Sequence, residues 1–173
     1  MFFSNSGAFY EAGRELLLSL RTAAIEHVFV GRAALEAHGC PLAAGRLEVC
    51  LPPTAFEHFH HSLAGYVFEP LPGQQTRYVH PPTQVEIALL PAGGIVGDGL
   101  RQREIRWPQP AQAQFVAGLP VPGLARLIEL LLASFEHDDL LLAGRLARRH
   151  QLDASFAQRL HPVVRGQFAA CLG

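Results

Sequence analysis

Polar and apolar residues alternate from Arg46 to Leu51: Arg46, Glu48 and Cys50 fall on one side, and Leu47, Val49 and Leu51 on the other. A period of two predicts a half-buried strand. Upstream, Phe9, Leu16, Leu17 and Leu20 recur at helical spacing and predict an amphipathic helix over Ala8 to Leu20. His27-Val28-Phe29-Val30 reads as a short strand ended by Gly31, and Ala33 to His38 as a short helix closed by Gly39. Downstream, Pro52-Pro53-Thr54 offers a helix start for the stripe Phe56, Phe59, Leu63. Gly65 stops that helix before a strand-like Tyr66-Val67-Phe68, and further strands are expected at Thr76 to His80 and Gln84 to Leu90.

Pro91 to Gly99 is loop material, with weak strand signals around Arg103 to Trp107 and Gln114 to Val116. From Leu119 the pattern turns helical. Pro122 suits a first helical turn, and Leu124, Leu127, Ile128, Leu131 and Leu132 make a wide apolar face. A second helix is expected over Asp138 to His150, and one or two more between Gln151 and Leu172. The expected fold class is α/β (α+β), a mixed sheet flanked by helices with a C-terminal helical bundle. No repeat or linker divides the chain, so residues 1–118 form the α/β core and 119–173 a helical subdomain packed on it.

Composition narrows the chemistry. The 173 residues are 49% hydrophobic and 17% charged, with a formal net charge of -1, which describes a folded globular chain. No global field draws it to nucleic acid or to an anionic membrane, so neither is expected as a partner. Every basic residue is arginine, which excludes a Schiff-base lysine, a phosphate-loop lysine and a kinase-type lysine. Abundant Ala, Leu, Arg, Gly and Pro with a single asparagine, Asn5, is the composition of a G+C-rich bacterial genome. Cys40, Cys50 and Cys171 are odd in number and lack CxxC spacing, which fits a reducing cytoplasm. Met1 to Asn5 has no basic leader pattern, and the apolar run Leu127 to Phe135, broken by Glu129, is far short of the ~20 residues of a membrane span. A soluble cytoplasmic protein is expected, as a homo-oligomer or with a protein partner.

Several local patterns have a plain reading beside a chemical one. Glu57, His58, His60 and His61 hold possible zinc ligands at helical spacing, but no third ligand is fixed, so a solvated helix face explains them. Gly93 to Gly99 lacks GxGxxG and reads as a flexible turn, with Asp98 in a loop of undetermined direction. Arg145, Arg148 and Arg149 share one side of a helix; pairing with Glu136, Asp138 or Asp139 is expected there rather than RNA phosphates. Asp138 and Asp139 suit a helix N-terminus, His38 suits a capping and packing role, and Trp107 with Pro108 and Pro110 suits an exposed or interface turn. No GxSxG is present, and Ser62 beside His61 points away from it on a helix.

The stretch Val28-Phe29-Val30-Gly31-Arg32-Ala33-Ala34-Leu35-Glu36-Ala37-His38-Gly39, followed by Arg46-Leu47-Glu48-Val49, resembles bacterial nucleotidyltransferase-like proteins of toxin and abortive-infection systems. Their pattern is strand, Gly-Gly or Gly-Ser, helix, His-Gly, then a strand bearing Asp-x-Asp. Gly65-Tyr66, Val85-Glu86-Ile87, Leu119-Pro120-Val121 and Asp138-Asp139-Leu140 follow in matching order, so the resemblance covers roughly residues 25 to 152. It implies a nucleotidyltransferase-like sheet. It also implies two divalent ions held by carboxylates on neighbouring strands, and a glycine turn that offers N–H groups to phosphate.

Three parts depart from that pattern. Arg46 occupies the first acidic position, Arg32 the second glycine position, and Leu130-Leu131-Leu132 a helix that often carries a lysine. Glu48 and Glu86 are the remaining carboxylate candidates, vestigial for catalysis and for metal. Arg46 is expected to pair with one of them and neutralise the cleft, because a guanidinium fork suits a carboxylate. That predicts a degraded member acting as a binding or regulatory protein, with no cofactor. Gly31, Arg32 and Arg46 are then its candidate ligand-binding residues, for a phosphate or carboxylate taken up without metal. The alternative is an active toxin-type enzyme that modifies protein or RNA, using Mg²⁺ and a nucleoside triphosphate with Glu48 and Glu86 as metal ligands.

Overall fold

The computed structural model describes residues 6–43, 45–97, 104–134 and 136–172. Helix α1 (Ala8–Thr22) precedes strand β1 (Val28–Val30), helix α2 (Gly31–Ala37) and strand β2 (Leu47–Leu51). Helix α3 (Ala55–Leu63) and strands β3 (Glu69–Pro70), β4 (Arg77–His80) and β5 (Val85–Pro91) follow. A hairpin of β6 (Gln114–Val116) and β7 (Leu119–Val121) leads into α4 (Leu124–Ser134), α5 (His137–Arg149) and α6 (Arg165–Leu172).

The main sheet has the order β1-β2-β5-β4-β3, with β2 and β5 parallel and the other neighbours antiparallel. This is the mixed sheet the sequence predicts, and its register decides what meets across it. Glu48 lies between Val30 of β1 and Ala88 of β5, and Arg77 of β4 stands beside Ala88. Because side chains alternate along each strand, Glu48, Glu86 and Arg77 emerge on one face. Leu47, Ile87 and Tyr78 occupy the other face, where Tyr78 meets Phe59 of α3 at a ring-centroid distance of 5.0 Å.

Strand β2 is more enclosed than its alternation suggests. Leu47, Val49, Cys50 and Leu51 are all buried and only Glu48 is partly open. The reason is position: β2 is an inner strand paired in parallel with β5, and such strands are covered on both faces. Cys50, on the polar side by sequence, is therefore core.

Other elements shift for local reasons. The strand expected at Tyr66 to Phe68 forms at Glu69–Pro70 instead, because Tyr66, Val67 and Phe68 direct their N–H groups back to the Leu63 carbonyl at the end of α3. Leu119 to Val121 is a strand rather than the start of a helix, and Pro122 lies ahead of α4. Ala117 and Gly118 both have positive φ, the backbone a tight two-residue hairpin turn requires, so Leu119 is drawn into pairing with Val116. The junction at residue 118 falls within that turn. Near Arg103 to Trp107 the described residues form only a bridge between Ile95 and Arg106; Arg103 lies outside them, as do Asp98 and Gly99.

The interruption at Glu129 proves structural. Its carboxylate is buried, accepting from Arg126 Nη1 at 2.8 Å and from the His161 backbone N–H at 2.7 Å, so its polar atoms are satisfied inside the bundle. No described helix is long and apolar enough to cross a membrane.

Candidate functional site

A cleft of about 840 Å³ opens between the Glu48 face of the sheet and helices α4 and α5. Gly31, Arg32, Arg46, Glu48 and Glu86 all border it, so the five residues singled out by sequence are gathered in one place. Its apolar wall comes from Leu127, Leu130 and Leu131 of α4, Leu142 of α5 and Trp107. Trp107 is thus half-buried at the cleft rather than an exposed turn residue. The run Leu130-Leu131-Leu132, read against a helix that often carries lysine, supplies apolar wall and core.

Glu48 is held from two sides. Arg46 Nη2 and Nε reach its Oε1 at 2.8 and 2.9 Å, one of the two pairings expected from sequence. On the other side, Oε2 lies 1.9 Å from where a Cβ on residue 31 would stand. Gly31 has φ +55°, a left-handed conformation that costs other residues energy. The strand-to-helix turn thus needs glycine both for its backbone and for the carboxylate pressed against it.

Glu86 does not share Arg46. It pairs with Arg77 of β4, which the antiparallel register places diagonally across from it. Arg32 turns back along its own helix, donating from Nε to Glu36 Oε1 at 2.6 Å, while its guanidinium lies 3.8 Å from the Phe9 ring centroid. Tyr10 donates to the other Glu36 oxygen at 2.7 Å. Helix α1 thus provides, through Phe9 and Tyr10, the seat of the Arg32–Glu36 pair.

Sequence reasoning missed the acids on the opposite wall. Glu136 and Asp139 border the cleft together with Ser134. Asp139 does sit in the first turn of α5, as a helix-start acid should. Burial raises its carboxyl above the ordinary value; the Ser134 side chain opposes the rise, while the charges of Glu136 and Asp138 add to it. The spacing Ser134-x-Glu136-x-x-Asp139 before an apolar helix was the available signal, but its direction depends on how α5 docks. Behind Glu48, burial pushes the Cys50 thiol far up, with the Glu48 charge adding to the effect.

Of the remaining candidates, Val96 and Gly97 of the glycine-rich loop border the cleft, whereas the histidines stay apart from it. His60 Nδ1 lies 3.3 Å from the Tyr78 hydroxyl, and among the described residues no group of three or more His, Cys, Asp or Glu is placed to hold a metal. His38 follows α2 directly and its Nε2 meets the Pro122 carbonyl at 2.8 Å, the capping and packing role its sequence position suggests.

The strand, glycine turn, helix and parallel acid-bearing strands around one cleft make this a nucleotidyltransferase-like fold. Among solved structures, the antibiotic-resistance factor ANT(2'')-Ia superposes with a TM-score of 0.57 over 92% of both chains at 13% identity. JHP933 from Helicobacter pylori, at 10% identity, covers 94% of this chain and 88% of its own with a TM-score of 0.48. A second H. pylori protein, named as a putative nucleotidyltransferase, at 12% identity, covers 96% of this chain and 94% of its own with a TM-score of 0.44. At these identities the likeness is one of fold. No family model matches the sequence, and no curated protein matches it significantly.

Proposed function

We propose that this chain is a nucleotidyltransferase-like protein that has lost nucleotidyl transfer and uses its cleft for binding or regulation. The observation that carries this reading is the Arg46–Glu48 pair. Two-metal phosphoryl chemistry requires carboxylates free to grip cations of high charge density. Here a guanidinium already neutralises Glu48, and Arg77 neutralises Glu86. The residues present therefore do not fit a metal pair. What the cleft offers instead is an apolar wall from α4, a partly exposed Arg46 side chain at the rim and two further acids at the start of α5. That is a surface able to orient a ligand without turning it over.

Calorimetry with ATP, CTP, GTP and UTP, each with and without Mg²⁺, tests the reading alongside an assay for released pyrophosphate. The expected result is nucleotide affinity that Mg²⁺ leaves unchanged and Arg46→Ala weakens, with no pyrophosphate formed. Magnesium-dependent pyrophosphate release that disappears in Glu48→Gln overturns it in favour of the active enzyme.

A further inference from the structure

Outside the cleft, the last turns of α5 carry Arg145, Arg148 and Arg149, all exposed. Together with the turn Gly39-Cys40-Pro41 they enclose a concavity of about 380 Å³. The acids that sequence spacing offered as partners, Glu136, Asp138 and Asp139, form no ion pair with any of them, and no other described carboxylate does. Like charges three and four residues apart on a helix repel. The negative helix C-terminus favours cations in the last turn, which accounts for Arg148 and Arg149 but draws neither Arg145 nor a concavity.

One of these side chains rests against a glycine. Arg149 Nε lies 3.1 Å from where a Cβ on Gly39 would stand, and Gly39 has φ +82°. Three arginines lining one hollow without a paired carboxylate match a phosphate, whose oxygens accept several N–H donors at once.

We propose that this concavity is a phosphate-binding site, independent of whether the cleft turns over nucleotide. The phosphate is carried either on a small molecule or along an RNA strand. Asp139 and Leu142 of the same helix border the cleft, and Arg145 follows Asp139 by about 9 Å along the axis at about 1.5 Å per residue. The hollow and the cleft thus lie along one helix, with the acidic end at the cleft.

The test measures pyrophosphate binding by calorimetry and the anisotropy of a labelled twelve-nucleotide single-stranded RNA over a salt series. The proteins are the full chain, R145Q/R148Q/R149Q and, should the triple variant fail to fold, R148E alone. The expected result is at least a tenfold loss of affinity in the variants. For RNA, the triple substitution should also lower the salt slope by about 2, given about 0.7 for each phosphate contact on a single strand. Pyrophosphate binding alone identifies a small-molecule phosphate as the source, and RNA binding identifies a strand. Failure of the full chain to bind either probe, or equal binding by full chain and variants, overturns the proposal.

Discussion

Oε2 of Glu48 and the α-carbon of Gly31 are in such close contact that a methyl group on residue 31 would overlap the carboxylate, its carbon 1.9 Å from the oxygen. Gly31→Ala is therefore expected to act twice. The left-handed backbone at φ +55° carries a penalty of about 1–3 kcal/mol for alanine, and Glu48 must also swing away from Arg46. Urea unfolding should show a loss of that size or larger. Equal stability of Gly31→Ala and the parent would mean that this turn is not packed as described.

Arg46 can be separated from the fold. With side-chain exposures of 43% and 21%, its pair with Glu48 lies in the range of partly exposed salt bridges worth about 0–1 kcal/mol. Arg46→Ala should change stability by no more than that. Arg46→Asp removes the cation and places two acids on alternate positions of β2, the arrangement a divalent ion needs. Thermal unfolding with and without Mn²⁺ should show an ion-dependent rise in Tm for Arg46→Asp and none for the parent. An equal rise in both would mean that the guanidinium does not block the site.

Two sets of groups give stability opposite pH dependences. Burial lowers the His27 and His38 imidazoles below 6.5, so the unfolded chain takes up these protons first. The stability contributed by the neutral imidazoles is present above pH 6.5 and falls as pH drops below it toward their folded values. Asp139 runs the other way. Its folded value is raised above 3.8, so its contribution favours the folded state at low pH and is lost as pH rises through that raised value. Denaturant titrations between pH 8 and 5 should show declining stability, flattened in His38→Gln. Asp139→Asn should be more stable than the parent at pH 7, and a less stable variant would contradict the burial argument.

Much of this was legible in the chain itself. Alternation over Arg46–Leu51, and the passage from Val30 through Gly31 into a helix, placed β2, the turn and Glu48 as one of two partners for Arg46, because each depends on neighbours within a few residues. What depended on register was less visible. Nothing local said that Glu86 would face Arg77 across β4 and β5, nor that Cys50 would be enclosed as fully as Leu51. Asp139 and Trp107 reach the cleft only through the docking of α5 and the bridge at Ile95–Arg106. The unpaired arginines were hidden for the same reason: spacing supplied possible partners, and packing did not bring them together.

The hairpin turned at Ala117 and Gly118 ties both walls of the cleft to one short ribbon, since β7 packs on β1 at one end and leads directly into α4 at the other. A chain cut at that turn would leave β6 without its mate and strip the sheet of Leu119 and Val121, both fully buried. The helical third is thus a keystone of the molecule, and expressing the sheet half by itself should yield a sticky fragment with no working hollow.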